Sequence, residues 1–353
     1  MSNPITWVAV DQGYSNTKAV SSHNGRSVIF PSLVVGGHER LSFGGSSRGN
    51  PDDVSNMHVL VEDQDNTLEY FVGDLAVRES QTASFMFSQD RINDPRSMAL
   101  VYTSIAKLTS DLPVYDHMKI NLALGLPLKY YSEMKAPMEK KFRNNSFKIS
   151  FKSGGNKETR SFTINQVSVW PQAAGAIWSQ LFSADGQIKK FNSRMFVALV
   201  DIGFKTTDYI AVDISSGLHI RSDLSGTIEN GMSQVLTQAR RSFEEQVGST
   251  IDSNLFEGLI SNGHEVTFRK KVYDLSDIIK KAEMEVATNI KDNMRLAWGQ
   301  KVDFMDRVYL AGGGASGLYK YFEKDFETQV ILASRPQMAN ANGFLMMAQR
   351  NQK

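Results

Sequence analysis

Two short stretches of the chain place an acid, a glycine and a cluster of hydroxyls at the same spacing. One is Asp11-Gln12-Gly13-Tyr14-Ser15-Asn16-Thr17-Lys18, and the other is Asp201-Ile202-Gly203-Phe204-Lys205-Thr206-Thr207-Asp208. Each follows an apolar run and precedes another, which predicts a β-hairpin with an acid at its tip. Gly13 and Gly203 let the backbone turn sharply and come close to a ligand. The amides of Tyr14, Ser15 and Asn16, and those of Phe204, Lys205 and Thr206, can then point at phosphate oxygens. Lys18 and Lys205 add positive charge. A carboxylate beside a phosphate makes sense only with a cation between them, so Asp11 and Asp201 imply a divalent metal held through water. Alone, each stretch reads equally well as an ordinary turn, because Asp, Gly, Ser and Asn are turn residues. The two together predict a two-domain phosphate clamp.

Three further segments add parts. Pro171-Gln172-Ala173-Ala174-Gly175-Ala176 reads as a helix start. Gln172 there could orient a water for attack on phosphorus, although an exposed first-turn glutamine is the plainer reading. Gly312-Gly313-Gly314 follows a strand, where bare backbone suits a flat group. Ala339-Asn340-Ala341-Asn342-Gly343 suits either tight helix packing at a hinge or a helix capped by asparagine.

The elements that must position these residues are mixed α and β. Strands are predicted at 5–10, 17–21, 27–33, 69–72, 119–124, 147–151, 160–164, 167–170, 218–224 and 308–310. An irregular polar stretch is expected from Gly36 to about Asp65, and a hairpin turn at Gly154-Gly155. Helices are predicted at 97–111, 130–143, 172–182, 232–245, 275–296 and 342–349, from apolar residues at helical spacing. The expected domains are 1–167 and 168–337, with a C-terminal helix within 338–353 returning to the first.

Composition limits the alternatives. A chain of 353 residues suits about two domains. Net charge is +1, which gives no electrostatic case for direct nucleic-acid or membrane binding. There are no cysteines, so disulfides and thiolate metal sites are excluded, and a cytoplasmic setting is expected. The basic stretch 129–143 is interrupted by Glu133 and Glu139 and reads as a solvated helix face.

The order hairpin, Pro-Gln helix, hairpin, Gly-Gly-Gly, Ala-x-x-x-Gly resembles the actin/Hsp70/sugar-kinase ATPase superfamily. There these segments are the phosphate 1, connect 1, phosphate 2, adenosine and connect 2 motifs. The chain is most similar to the ParM/StbA plasmid-segregation actins and their archaeal relatives, through Gly125-Leu126-Pro127-Leu128-Lys129-Tyr130-Tyr131, the Thr206-Thr207-Asp208 end of the second hairpin, and Val28-Ile29-Phe30-Pro31-Ser32. The resemblance implies an actin-like (ribonuclease H-like) α/β fold of two domains, with ATP and Mg2+ between them and GTP as an alternative nucleotide. It implies head-to-tail filaments, ATP hydrolysis, and plasmid DNA segregation through a DNA-binding adaptor. It matches Asp11 and Asp201 to the metal-associated acids and Gln172 to the water-positioning residue. Gly13, Ser15, Asn16, Lys18, Gly203, Lys205 and Thr206 match the phosphate loops, and Gly312, Gly313 and Gly314 the adenosine loop. ParM proteins usually carry Gly where this chain has Phe204, and several carry Glu where it has Gln172. The rival readings are a small-molecule kinase of the same superfamily and a weakly hydrolysing cytoskeletal scaffold.

Overall fold

Each Asp-x-Gly stretch closes an antiparallel strand pair, and each pair begins a sheet of its own. In this computed structural model the described residues are 5–39, 53–63, 66–79, 93–114, 117–153, 156–183, 187–189, 196–215, 218–260, 263–323 and 330–351. The chain divides into two compact units. Unit 1 comprises residues 1–126, 130–171 and 341–353, and unit 2 comprises 127–129 and 172–340.

Unit 1 contains β1 (Thr6–Gln12), β2 (Asn16–Ser21), β3 (Ser27–Pro31), β4 (Val34–Gly36), β5 (Met57–Asp63), β6 (Asn66–Val72), α1 (Asp74–Glu79), α2 (Pro95–Leu108), β7 (Met118–Leu126), α3 (Tyr131–Phe142), β8 (Ser146–Ser153) and β9 (Asn156–Pro171). Its nine strands run in the order β3-β2-β1-β7-β9-β8-β5-β6-β4. β1, β7 and β9 are mutually parallel; β1 is buried throughout and β7 nearly so, while β9 alternates buried and more exposed residues from Arg160 onward. Helix α2 starts at Pro95, with Asp94 accepting the Arg96 amide as its cap. It is buried from Ser97 through Leu108. Its Tyr102 ring stacks on Phe147 at 3.8 Å, and its hydroxyl donates to Asp63 Oδ2 at 2.8 Å. Burial pushes the Tyr102 phenol well above its ordinary pKa.

Unit 2 contains α4 (Ala174–Leu181), β10 (Phe196–Ile202), β11 (Thr207–Asp213), β12 (His219–Ile220), β13 (Gly226–Ile228), α5 (Met232–Val247), α6 (Ser253–Ile260), β14 (Glu265–Phe268), β15 (Lys271–Asp274), α7 (Ser276–Trp298), β16 (Arg307–Ala311), α8 (Ala315–Phe322) and β17 (Val330–Leu332). The last helix, α9 (Ala339–Arg350), starts in unit 2 and continues in unit 1. The main sheet runs β12-β11-β10-β16-β17, with β13 also on β11. The plan of unit 1 therefore recurs: an acid-tipped antiparallel pair, a third strand outside it, and two parallel strands on the other side.

Several elements differ from the sequence expectation. The polar stretch 36–65 contains β5, which lies inside the sheet between β6 and β8. Met57, Val59 and Val61 bury there. The strands expected at 160–164 and 167–170 form one strand, β9, continuous across an irregularity beside Ile120/Asn121. Only His219–Ile220 of the run at 218–224 is strand. The helix expected from Gln172 begins at Ala174, because Gln172 and Ala173 make a tight turn after the strand. The expected turn at Gly154-Gly155 lies outside the described residues.

Candidate functional site

The first hairpin pairs Asp11 with Lys18 and Gln12 with Thr17 across its strands. Gly13 donates its amide to the Asn16 carbonyl at 3.1 Å, which closes the turn. Ser32, just past β3, braces it. Its amide donates to the Ser15 carbonyl at 2.8 Å and its hydroxyl to the Gly13 carbonyl at 2.8 Å. Thr17 completes the chain by donating to Ser32 Oγ at 2.9 Å. In a planar trans peptide the C=O and the next N–H point in opposite directions. The amides of Tyr14 and Asn16 therefore face away from Ser32. Asp11 is 2% exposed, and Lys18 folds back so that its Nζ lies 3.3 Å from Asp11 Oδ2. Gln12 fixes the strand end by donating to the Ser97 carbonyl at 2.7 Å, on the first turn of α2.

The second hairpin repeats this geometry. Asp201 pairs with Asp208 and Ile202 with Thr207. Gly203 donates to the Thr206 carbonyl at 2.9 Å. The brace is the start of α5: Met232 donates to the Gly203 carbonyl at 3.1 Å and Ser233 to that of Phe204 at 2.7 Å. The amides of Phe204 and Lys205 then face away from α5. Thr207 donates to the Asn230 carbonyl at 2.8 Å. Lys205 is exposed at the tip, while Asp201 is 8% exposed.

The glycine triplet packs on this second hairpin. Gly312 has φ +91, and a Cβ there would collide with the Ile202 carbonyl oxygen and Asp201 Oδ1. Gly314 donates to the Ile202 carbonyl at 3.0 Å, and a Cβ there would meet Met232 and Ile202. Gly313 is exposed, and a Cβ there would meet nothing within 4 Å. So the triplet has two structural glycines and one whose bareness serves no packing need. Gln172 lies between β9 and α4, half-buried.

Among the described residues no three acids or histidines cluster to form a metal cage. Asp11 and Asp201 are each fixed by a partner within their own unit, and each offers the hard oxygen donor that a divalent cation such as Mg2+ takes. No helix among the described residues is long and apolar enough to cross a membrane.

Residues 9–175 match the model of the actin-like proteins' N-terminal domain, and residues 199–324 match that of the archaeal actin homologue MreB-like C-terminal domain. The chain is an actin-like protein of the ParM type. An archaeal actin homolog of Thermoplasma acidophilum is 25% identical to this actin-like chain over 353 residues, covering 98% of it and 99% of the relative. A ParM of Clostridium botulinum, solved as a 15-stranded filament, superposes with a TM-score of 0.83 at 26% identity, covering 98% and 99% of the two chains. An archaeal actin homolog solved with ADP shares the fold, with a TM-score of 0.77 at 19% identity over 98% and 100% of the chains.

Two supports of this ParM-type chain were not assigned from sequence: Ser32 and the Met232–Ser233 amides. Ser32 sits in a strand segment already notable for its resemblance. The helix expected from 232 gave no sign that its start would hold the Gly203 and Phe204 carbonyls.

Proposed function

We propose that this protein binds and hydrolyses ATP and assembles head-to-tail into filaments that segregate plasmid DNA. The observation that carries the reading is the repetition of one turn in the two units, each with its acid buried and its amides turned away from the bracing element. Nothing in an ordinary hairpin requires both sets of carbonyls to be tied back in this way. A nucleotide triphosphate needs two sets of donors, and the proposal gives one to each hairpin.

In this reading Gly13, Tyr14, Ser15, Asn16 and Lys18 hold one end of the phosphate chain, and Gly203, Phe204, Lys205 and Thr206 the other. Asp11 and Asp201 would hold Mg2+ through water. When bound, that ion neutralises charge developing on the β- and γ-phosphate oxygens. Gln172 orients the attacking water, and the loop amides stabilise the transition state without moving. Gly313 gives the base a bare surface to lie on. The filament arises from a head-to-tail contact that does not close, and the C. botulinum relative supports it. Coupling to DNA would run through an adaptor, as the ParM likeness suggests, in the cytoplasm.

The test is to mix the purified protein with ATP and Mg2+, then measure light scattering, pelleting and phosphate release. Polymer together with phosphate is expected. Phosphate without polymer across a wide concentration range would refute the filament, and neither signal would refute the whole reading. Asp201→Ala should retain nucleotide while turnover falls by about 10²–10³-fold.

A further inference from the structure

Ala173 is 0% exposed and sits at φ 63, ψ −42, a region an L-residue with a Cβ avoids. The Ala174 amide donates back to the Gln172 carbonyl at 2.7 Å, across this one residue. The turn is therefore a γ-turn of the positive-φ sense, which is rare and strained. Such a conformation persists only where its surroundings enforce it. One side chain does so. Asn340 Oδ1 accepts the Ala173 amide at 3.1 Å and the Ala176 amide at 3.0 Å. Ala173 is the cap residue of α4 and has no side-chain oxygen, so Asn340 supplies the missing cap from 167 residues away. Two N–H donors converge on that atom, so it must be the oxygen and the amide nitrogen must lie opposite. The nitrogen donates to Asp201 Oδ2 at 2.6 Å. Asn340 is itself 7% exposed.

We propose that Asn340 is a positioning residue that locks the strained Gln172–Ala173 turn and the Asp201 carboxylate into one geometry. Gln172 is the immediate neighbour of the clamped residue, so its backbone direction is set by the same amide that aims Asp201. The proposal rests on the ATPase reading for its functional consequence, and on the hydrogen bonds alone for the clamp. Only an amide fits the position: a carboxylate could accept from both alanines but could not donate to Asp201, and an amine could do only the reverse.

The experiment uses the full chain, with Asn340→Ala and Asn340→Asp beside the unsubstituted protein. Nucleotide affinity, phosphate release and amide exchange at Ala173 and Ala176 are measured. Loss of a hydrogen bond to a charged group predicts that Asn340→Ala lowers turnover by about ten- to a hundredfold. Affinity should stay within about threefold, and exchange at both alanines should accelerate. Asn340→Asp keeps the acceptor and nearly the same shape, so it should fold even if the alanine variant does not. It still accepts from Ala173 and Ala176 but offers no N–H to Asp201, so exchange at both alanines should stay slow while turnover falls about tenfold or more. Unchanged turnover and exchange in Asn340→Ala, or unchanged turnover in Asn340→Asp, would overturn the proposal. So would equal losses of affinity and turnover, the mark of a merely structural residue. If the unsubstituted protein releases no phosphate, the ATPase reading fails, and the exchange rates decide the clamp by themselves.

Discussion

The two hairpins match position by position: Asp11 with Asp201, Gly13 with Gly203, Tyr14 with Phe204, Thr17 with Thr207. They part at the next residue, where Lys18 faces Asp11 but Asp208 faces Asp201. The first acid has a cation at 3.3 Å; the second has a neutral amide at 2.6 Å. A lysine offsets the carboxylate's charge, whereas an asparagine aims the carboxylate and leaves its charge in place. Backbone geometry and electrostatics are thus supplied separately, and one turn can serve two purposes. Phe204 also ceases to be unusual, since Tyr14 holds the same place in the first turn.

The largest effect is expected at Gly312, which packs directly against the second hairpin. Gly312→Ala meets backbone oxygen at a positive φ and should cost about 3 kcal/mol or more. Gly313→Ala should leave the melting curve alone and weaken nucleotide binding. Equal melting of the two variants would show that the triplet is not divided as described. Next is Lys18→Met, which leaves a nearly buried carboxylate without its cation. A loss of about 1–3 kcal/mol is expected in denaturant titration, and no loss would mean that the charge difference between the turns is inconsequential. Thr17→Val and Thr207→Val should each cost about 1 kcal/mol, since each removes one donor from the bracing segment. A disparity of more than about 1 kcal/mol between them would end the equivalence.

Alkali should act most weakly, through unit 1. The buried Tyr102 phenol keeps its proton after the unfolded chain begins to lose it, near the ordinary value of 10.0. The folded state then holds more protons, so stability falls as pH rises past 10, by at most about 1.4 kcal/mol per unit from this group. Tyr102→Phe should lack that part of the slope, and an unchanged slope would exclude Tyr102 as its source.

The hairpins were legible because everything that makes them is local: an apolar run, Asp-x-Gly, hydroxyls, another apolar run. The glycine triplet was legible as bare backbone, but not as two packed glycines and one open one, since the atoms that decide this belong to residues 201, 202 and 232. β5 was hidden by its polar neighbours, and the alternation of Met57, Val59 and Val61 was too short to stand out from them. Pro171 suggested a helix start, yet it ends β9. The γ-turn behind it could not be read, because the residue that enforces it lies at position 340. Asn340 was visible as a helix-entry asparagine, but its bonds span more than 130 residues.

The bond from Asn340 to Ala173 has a consequence for the gene as well as for the fold. Apart from residues 127–129, unit 2 is a single uninterrupted segment, 172–340. Its two ends are held 3.1 Å apart, donor to acceptor. In the gene that segment is one continuous run of codons, and in the fold its closure is tied by bonds made inside unit 2. The second unit is in effect a cassette seated between β9 and α9, with its own sheet, its own acid and its own latch.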